Sequence, residues 1–280
     1  MTRLYRILKH SLLILAAALP LLTHAQNSPQ GGIITAGGTL TDIVFAVGGG
    51  DKVIGVDTSS TSPSAVHKLP KVGYYRNLSA EGVLSFNPKQ VWVLEGAGSE
   101  RALAQIETAG VPVTEFDKPT TLSELYALIE QVADQLGTPD RAEPVINSIE
   151  DKFHPVSRAQ PLSGLFVLQV SERGVVAAGH DSVPDLLFSQ SDITNVVDHK
   201  GFKTVSREHL LINQPDFIVA PSHVVDAVGG RERFCQNATL QLLNAGQSCQ
   251  LLVMDSLLAL GMTTRIAEAH EALLAYVNDL

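Results

Sequence analysis

The chain is 280 residues long and carries 20 Lys and Arg against 29 Asp and Glu, a formal net charge of −9 at pH 7. This acidic balance disfavours binding to nucleic acid or to an anionic membrane surface, because neither complements a negative protein. The length is sufficient for a large core, in one domain or in two lobes.

The first 25 residues have the pattern of a secretory signal peptide. A basic head with Arg3, Arg6 and Lys9 precedes a short apolar run, Leu12–Leu22, and small residues lead up to Ala25. The run is shorter than the roughly 20 residues that span a bilayer. We therefore predict cleavage after Ala25 and an exported chain with no membrane insertion. Its 17 Lys and Arg against 29 Asp and Glu give a net charge of −12.

The next part of the chain, 33–137, predicts a first α/β lobe. Short apolar runs bounded by Gly, Pro and polar residues alternate with helical patterns, and Thr39 is the expected cap of the first helix. Strands alternating with helices at this spacing predict a parallel sheet with helices on both faces. The predicted strands are 33–35, 53–56, 90–94 and 111–116, and the predicted helices are 39–45, 79–86, 101–108 and 122–136.

A single long helix is predicted to follow, over 138–160. Thr138 is a suitable cap, and Pro139 would occupy the first helical position, where its missing N–H costs nothing. Strand patterns resume at 165–170 and 175–178, which predicts a second lobe over 161–280. A lone helix between two α/β halves is typical of a rigid connector.

The two halves also repeat one motif with identical spacing. Ser79-x-Glu81-x-x-Leu84-x-x-x-Pro88 in the first half is matched by Ser206-x-Glu208-x-x-Leu211-x-x-x-Pro215 in the second. Two unrelated helix-to-strand units that happen to agree remain the alternative to a structural repeat. The fold class predicted is therefore α/β, with two Rossmann-like lobes joined by one long connector helix and a ligand cleft between the lobes.

Cys235 and Cys249 are the two cysteines of the chain. In an exported protein such a pair indicates a disulfide. Metal or redox chemistry is disfavoured, because neither cysteine belongs to a CxxC pair.

Three segments resemble the periplasmic binding proteins whose lobes are joined by a single long helix. Segment 69–82, LPKVGYYRNLSAEG, is similar to a segment of bacterial haem-binding members, and GGTLTD at 37–42 and MDSLLALG at 254–261 also fit them. The family usually continues with Gly-Pro-Arg, whereas here 262–265 read MTTR. The resemblance covers nearly all of the chain after residue 25. It implies a periplasmic protein that captures haem, acts as a monomer, is not an enzyme and delivers its cargo to an ABC importer.

The same resemblance assigns haem contacts to the first lobe. Tyr74 corresponds to the family's iron-ligating tyrosine, and a phenolate is a suitable axial ligand of ferric haem. Arg76, two residues away, would stabilise the phenolate or contact a haem propionate. Tyr75 is expected to stack on the porphyrin. A surface loop with packing roles is the alternative for an isolated Tyr-Tyr-Arg triplet.

A second-lobe contact is harder to assign. Some family members supply a histidine near the position of Val170, which cannot bind iron. His180 is the nearest candidate for a haem contact, and His199 and His223 are further options. Each has the alternative of an ordinary loop histidine, in which case the iron would be five-coordinate.

Glu81 and Glu208 each fall two residues after a capping serine, where a carboxylate complements the helix dipole. The resemblance implies a further role, because the family presents one glutamate on each lobe to arginines of the permease. We therefore predict that both glutamates dock to the permease.

Two other functions are compatible with parts of the sequence. The same fold would also serve a cobalamin- or iron–siderophore-binding protein, although a siderophore already saturates its iron and needs no tyrosine. A secreted metal-dependent enzyme belongs to a different class. The chain contains no HExxH, GxSxG or GxxxxGK motif, which disfavours it.

Overall fold

The computed structural model describes residues 31–171 and 174–280. The predicted signal peptide, residues 1–25, lies outside these ranges. Among the helices of the described ranges, none is long and apolar enough to cross a membrane.

The first lobe is built on a four-stranded parallel sheet with strand order β2-β1-β3-β4. The predicted alternation of strands and helices is confirmed here. The strands are β1 (Ile33–Ala36), β2 (Val53–Val56), β3 (Gln90–Leu94) and β4 (Val113–Phe116), and the helices are α1 (Gly38–Ala46), α2 (Ala80–Leu84), α3 (Glu100–Thr108) and α4 (Leu122–Leu136).

Burial and capping explain these elements. β1 and β2 are buried along their whole length, as expected of parallel strands whose two faces are both covered. α4 begins with a capping box between Thr121 and Glu124 and ends at Gly137, which has the left-handed φ of 73°. Thr39 is not the cap of α1, because that helix begins one residue earlier, after Gly37.

The helix predicted over 138–160 is shorter than expected. A 3-10 turn at Pro139–Arg141 leads into α5 (Ala142–Glu150), and the chain from there to residue 161 has no regular helix. Pro155 prevents a regular helix from continuing to residue 160, because proline lacks an N–H and disfavours helical geometry in the residue before it.

The second lobe contains a mixed sheet with order β10-β9-β5-β6-β8, and β7 also pairs with β5. β5, β7, β9 and β10 are parallel, whereas β6 is antiparallel to β5 and to β8. This sheet is mixed because the link from β5 to β6 is too short for a crossover and forces a hairpin. The strands are β5 (Leu162–Ser171), β6 (Gly174–Ala178), β7 (Ile193–Asn195), β8 (Phe202–Ser206), β9 (Phe217–Pro221) and β10 (Leu251–Met254).

Seven helices of this lobe lie within the described ranges. They are α6 (Val183–Gln190), α7 (Arg207–Ile212), α8 (Ser222–Ala227), α9 (Arg231–Cys235), α10 (Asn244–Gln247), α11 (Ser256–Leu260) and α12 (Ile266–Asn278). The predicted disulfide is present between Cys235 and Cys249, whose Cα atoms are 5.5 Å apart.

The repeated motif is a repeat of structure. Ser79 caps α2 by accepting the Gly82 N–H at 3.0 Å, and Ser206 caps α7 by accepting the His209 N–H at 3.2 Å. Both units are therefore a capped short helix that leads into a buried parallel strand, β3 in the first lobe and β9 in the second.

The lobes share a continuous buried junction. One apolar cluster includes Leu40 and Ile43 of α1 together with Ile266 and Leu273 of α12. Beside it, the buried carboxylate of Asp42 accepts hydrogen bonds from the backbone N–H and the hydroxyl of Thr264. Burial raises the pKa of Asp42, and the Thr264 donors oppose that effect.

A second buried carboxylate, that of Asp57, organises the loop after β2. Its Oδ1 accepts the Gly37 N–H at 3.0 Å and the Ser60 hydroxyl at 2.6 Å, and its Oδ2 accepts both the N–H and the hydroxyl of Ser59. Thr58, the next residue, donates its N–H to the Gly73 carbonyl at 2.8 Å. One carboxylate thus connects the start of α1 to the segment that carries Tyr74.

We predict that Asp57→Asn lowers the free energy of unfolding by about 2–3 kcal/mol, because an amide group would face donors that the carboxylate now satisfies. Urea denaturation followed by circular dichroism measures this loss. Asp51→Asn, at an exposed site, should change stability by less than about 0.5 kcal/mol. Equal stabilities for the two variants would contradict the role assigned to Asp57.

His270 is buried in α12, with its ring edge-on to Phe153 at 5.0 Å between centroids. Burial lowers its pKa from the ordinary value of 6.5, while a hydrogen bond with the Gln190 backbone and the charge of Glu271 oppose the shift. Below pH 6.5 the unfolded chain therefore takes up a proton that the folded chain resists.

We predict that stability falls as the pH drops below about 6.5 and that His270→Gln makes this fall shallower. Urea unfolding midpoints measured between pH 7.5 and 5 give the slope of stability against pH. This slope can be compared between variants even if the substitution itself lowers stability at every pH. His67→Gln, at an exposed site, should retain the parent slope. An unchanged slope in the His270 variant would show that other groups govern the acid response.

Candidate functional site

A cleft of about 770 Å³ lies between the lobes and is lined by both of them. This volume falls within the range of roughly 300–1,000 Å³ that is usual for small-molecule sites. Its principal side chains are Tyr74, Tyr75, Arg76, Leu94 and Lys118 from the first lobe, and Leu168, Phe202, His223, Ser256, Leu257 and Leu260 from the second.

Two glycines that line the cleft allow close packing, Gly37 within the first lobe and Gly38 between the lobes. Gly37 has a φ of 118°, and a side chain there would meet Leu94 at 2.6 Å. A Cβ on Gly38 would meet Leu257 of the other lobe at 2.6 Å and the Ser59 carbonyl oxygen at 2.8 Å. Close packing therefore requires glycine at both positions, in addition to their place at the start of α1.

Tyr74 projects from a short loop into the cleft. Gly73 before it adopts a left-handed φ of 101°, and the Asn77 N–H donates to the Tyr74 carbonyl at 2.9 Å, which closes a tight turn after it. The Tyr74 side chain is 45% exposed and stands edge-on to Tyr75, with 5.1 Å between ring centroids. The phenol is thus held in place by backbone geometry while it stays accessible.

Arg76 lies over the face of Tyr75, with its guanidinium carbon 5.0 Å from the ring centroid. Burial raises the pKa of Tyr75, and the positive charge of Arg76 opposes this shift. Across the described ranges, no carboxylate forms an ion pair with Arg76. Its charge remains available to a ligand.

Lys118 is a cleft residue that the sequence did not single out. It follows β4, so it lies at the carboxyl edge of the sheet, and its backbone N–H donates to Glu95 at 3.3 Å. Its side chain is exposed overall, yet partial desolvation of the ammonium group and the nearby Arg76 lower the pKa of Lys118, against the effect of Glu95. The sequence signal that could have identified Lys118 is its position just after a predicted parallel strand, where ligand-binding residues commonly lie.

The second-lobe wall is mainly apolar. Leu168, Phe202, Leu257 and Leu260 face the cleft, and Phe202 is 39% exposed. Phe202 lies on the edge strand β8, with its ring edge-on to Phe166 at 6.4 Å between centroids. These residues form an apolar surface on the second-lobe side of the cleft.

The structure separates the candidate histidines. His180 is exposed and does not line the cleft; its Nδ1 lies 3.2 Å from an Asp185 carboxylate oxygen. Both ring nitrogens of His199 are shielded from solvent, with no hydrogen-bond partner in the described ranges. His223 is the histidine that lines the cleft.

Glu81 and Glu208 lie away from the cleft. Each is exposed in the first turn of its capped helix, α2 or α7. Neither forms an ion pair with any residue that the structure describes.

The cleft can hold a large, flat, mainly apolar ligand that has an anionic end. The cations Arg76 and Lys118 lie on one side, an accessible phenol lies beside them, and apolar side chains cover the other wall. Over residues 31–171 and 174–280, no cluster of three or more His, Cys, Asp or Glu side chains could hold a metal ion by itself.

Comparison with known sequences agrees with this geometry. The family model described as periplasmic binding protein matches residues 33–258. An uncharacterized ABC transporter substrate-binding lipoprotein of Bacillus subtilis is 28% identical over 66% of this chain, and the match spans 61% of that relative's length. A vitamin B12-binding protein of Yersinia pestis is 22% identical over 85% of this chain and 89% of its own.

Solved structures give the same relationship. The periplasmic haem-binding protein RhuT of Roseiflexus sp. RS-1, in apo form, has a TM-score of 0.81 and 31% identity and covers 89% of this chain and 98% of its own. The periplasmic haem-binding protein BhuT, in complex with two haems, has a TM-score of 0.79 and 30% identity, with 89% and 98% covered. These relatives are binding proteins and not enzymes. The chain belongs to the periplasmic binding protein family, as a substrate-binding protein of ABC importers in the class that serves haem, vitamin B12 and siderophores.

Proposed function

We propose that this protein captures haem in the periplasm and delivers it to an ABC importer. The observation that carries the proposal is the pair of cations, Arg76 and Lys118, beside the accessible Tyr74 in a cleft whose opposite wall is mainly apolar. Export through the segment 1–25, with cleavage after Ala25, is part of the same proposal. So is the monomeric state.

Haem matches the cleft in shape and charge. Its porphyrin is a flat apolar plate, which the surface formed by Leu168, Phe202 and Leu260 would cover. Its two propionates lie on one edge, and Arg76 and Lys118, which form no salt bridge within the described ranges, would receive them by charge-assisted hydrogen bonds. In a chain with an excess of acidic residues, such a local pair indicates an anionic ligand.

Tyr74 is the proposed axial ligand of ferric iron. A free phenol has a pKa of about 10, so iron itself must favour the deprotonated oxygen when haem binds. The edge contact of Tyr75 limits the rotation of the Tyr74 ring.

Vitamin B12 is the second candidate cargo, because a B12-binding relative matches 85% of this chain. Cobalamin carries amide side chains where haem carries carboxylates, so it would leave both cations without partners. That difference favours haem. Competition between hemin and cyanocobalamin for the apo-protein would decide between them directly.

We predict that Tyr74→Ala loses most affinity for ferric haem and that Tyr75→Phe retains it, because only the first phenol is placed to ligate iron. Titration of the apo-protein with hemin, followed through the Soret band, measures both. Failure of the parent protein to bind hemin would refute the proposed function. Unaltered binding by Tyr74→Ala would refute the ligand assignment alone.

The charges are tested in the same assay. Arg76→Ala and Lys118→Ala should each weaken hemin binding about tenfold, equivalent to about 1.4 kcal/mol. Neither should affect binding of the hemin dimethyl ester, which lacks both negative charges. Lys68→Ala, at an exposed site outside the cleft, is the matched control.

Glu81 and Glu208 are the proposed docking points for the permease. Each lies on a short helix that is capped in the same way, so the two lobes would present equivalent charges to a paired partner. In the second lobe, the exposed aliphatic residues Leu211 (52%) and Ile212 (76%) share the helix face of Glu208, three and four residues further on. Exposed aliphatic side chains next to an unpaired carboxylate are typical of a contact surface.

We predict that the double variant Glu81→Ala/Glu208→Ala binds hemin like the parent but transfers it more slowly to the reconstituted importer. Raising the salt concentration should slow transfer by the parent more than by the variant. Loss of the two charges costs each helix about 0.3–1 kcal/mol, too little to unfold the chain. Glu107→Ala/Glu143→Ala is the control, and equal transfer rates for both pairs would exclude docking by these glutamates.

A further inference from the structure

His223 and Ser256 are brought together by the register of two parallel strands. β9 pairs with β10 so that Pro221 lies beside Met254, and His223 and Ser256 each follow two residues later. Both therefore emerge at the carboxyl edge of the second sheet, at the starts of α8 and α11, and both line the cleft. They are distant in sequence, so only the strand register places them in contact.

Ser256 holds the His223 ring from one side. The ring Nδ1 lies 2.7 Å from the Ser256 hydroxyl oxygen, which also accepts the His223 backbone N–H at 3.1 Å and lies 3.0 Å from the Ser222 hydroxyl. A serine oxygen has two acceptor positions and one proton. With the imidazole proton on Nδ1, this oxygen accepts both His223 donors and gives its own proton to Ser222.

That arrangement leaves Nε2 with its lone pair. Within the described ranges, the hydrogen bonds of the His223 ring reach Nδ1 alone, and the residue is exposed where it lines the cleft. A histidine that ligates a metal has this form: one ring nitrogen is oriented by a hydrogen bond and the other is free to bind.

We propose that His223 supplies an axial ligand to haem iron through Nε2, on the face opposite Tyr74. The inference rests on the proposed function and adds a second protein ligand from the second lobe. Iron would then join the two walls of the cleft, with a phenolate from one lobe and an imidazole from the other. Ser256 is the positioning residue, since its hydroxyl group orients the ring through Nδ1.

The test is spectroscopic and uses the full mature protein loaded with one equivalent of hemin. Absorption and electron paramagnetic resonance spectra are recorded for the parent, His223→Ala, Tyr74→Ala and the double variant. We expect a six-coordinate ferric spectrum for the parent and a five-coordinate high-spin spectrum with a phenolate ligand for His223→Ala. Tyr74→Ala should retain a histidine-ligated spectrum, and the double variant should show neither signature.

Two controls separate this inference from the function on which it rests. His154→Ala, at an exposed loop site, should leave the spectrum unchanged, and His180→Ala tests the rival second-lobe histidine. If hemin binds and His223→Ala has the parent spectrum, or if His180→Ala alone changes it, the assignment of His223 is overturned while haem capture stands. If the parent does not bind hemin, the proposed function itself fails.

Discussion

The buried carboxylate of Asp57 is the constraint on which the first wall of the cleft depends. It satisfies donors from Gly37, Ser59 and Ser60, and it lies at the carboxyl edge of the sheet, where the ligand loops meet. A buried charge persists only when it is fully hydrogen-bonded, so these loops have little freedom to move apart. The adjoining Thr58–Gly73 hydrogen bond extends this order to Tyr74. The accessible phenol is thus positioned by a network that it does not belong to.

The junction between the lobes imposes a second constraint. The apolar cluster that includes α1 and α12 continues from one lobe into the other, and the Asp42–Thr264 hydrogen bonds lie beside it. Separating the lobes would expose apolar surface and leave Asp42 without its donors. We therefore expect small movements on ligand binding and a cleft that is largely preformed. A preformed site loses less conformational entropy when it binds a rigid plate such as haem.

Charge and shape in the cleft are divided between the lobes. The first lobe contributes Arg76, Lys118 and the two tyrosines, whereas the second contributes an apolar surface and His223. Neither half alone would select an amphipathic anion: the cations by themselves would accept any anion, and the apolar wall would accept any flat ligand. Specificity for haem, as proposed, arises because the junction holds both halves at a fixed separation.

The sequence by itself determined the local features: the strands and helices of the first lobe, the capped repeat at Ser79 and Ser206, and the cysteine pair. The strands, helices and caps depend on residues close in the chain, whose secondary-structure propensities and spacing can be read directly. The disulfide could be predicted because the chain has only two cysteines. Tertiary structure decided the mixed second sheet, the short α5, the presence of Lys118 in the cleft and the choice of His223 over His180 as the histidine that lines it. Those outcomes depend on which strands pair and in what register. Strand pairing and register are set by packing between segments far apart in the chain.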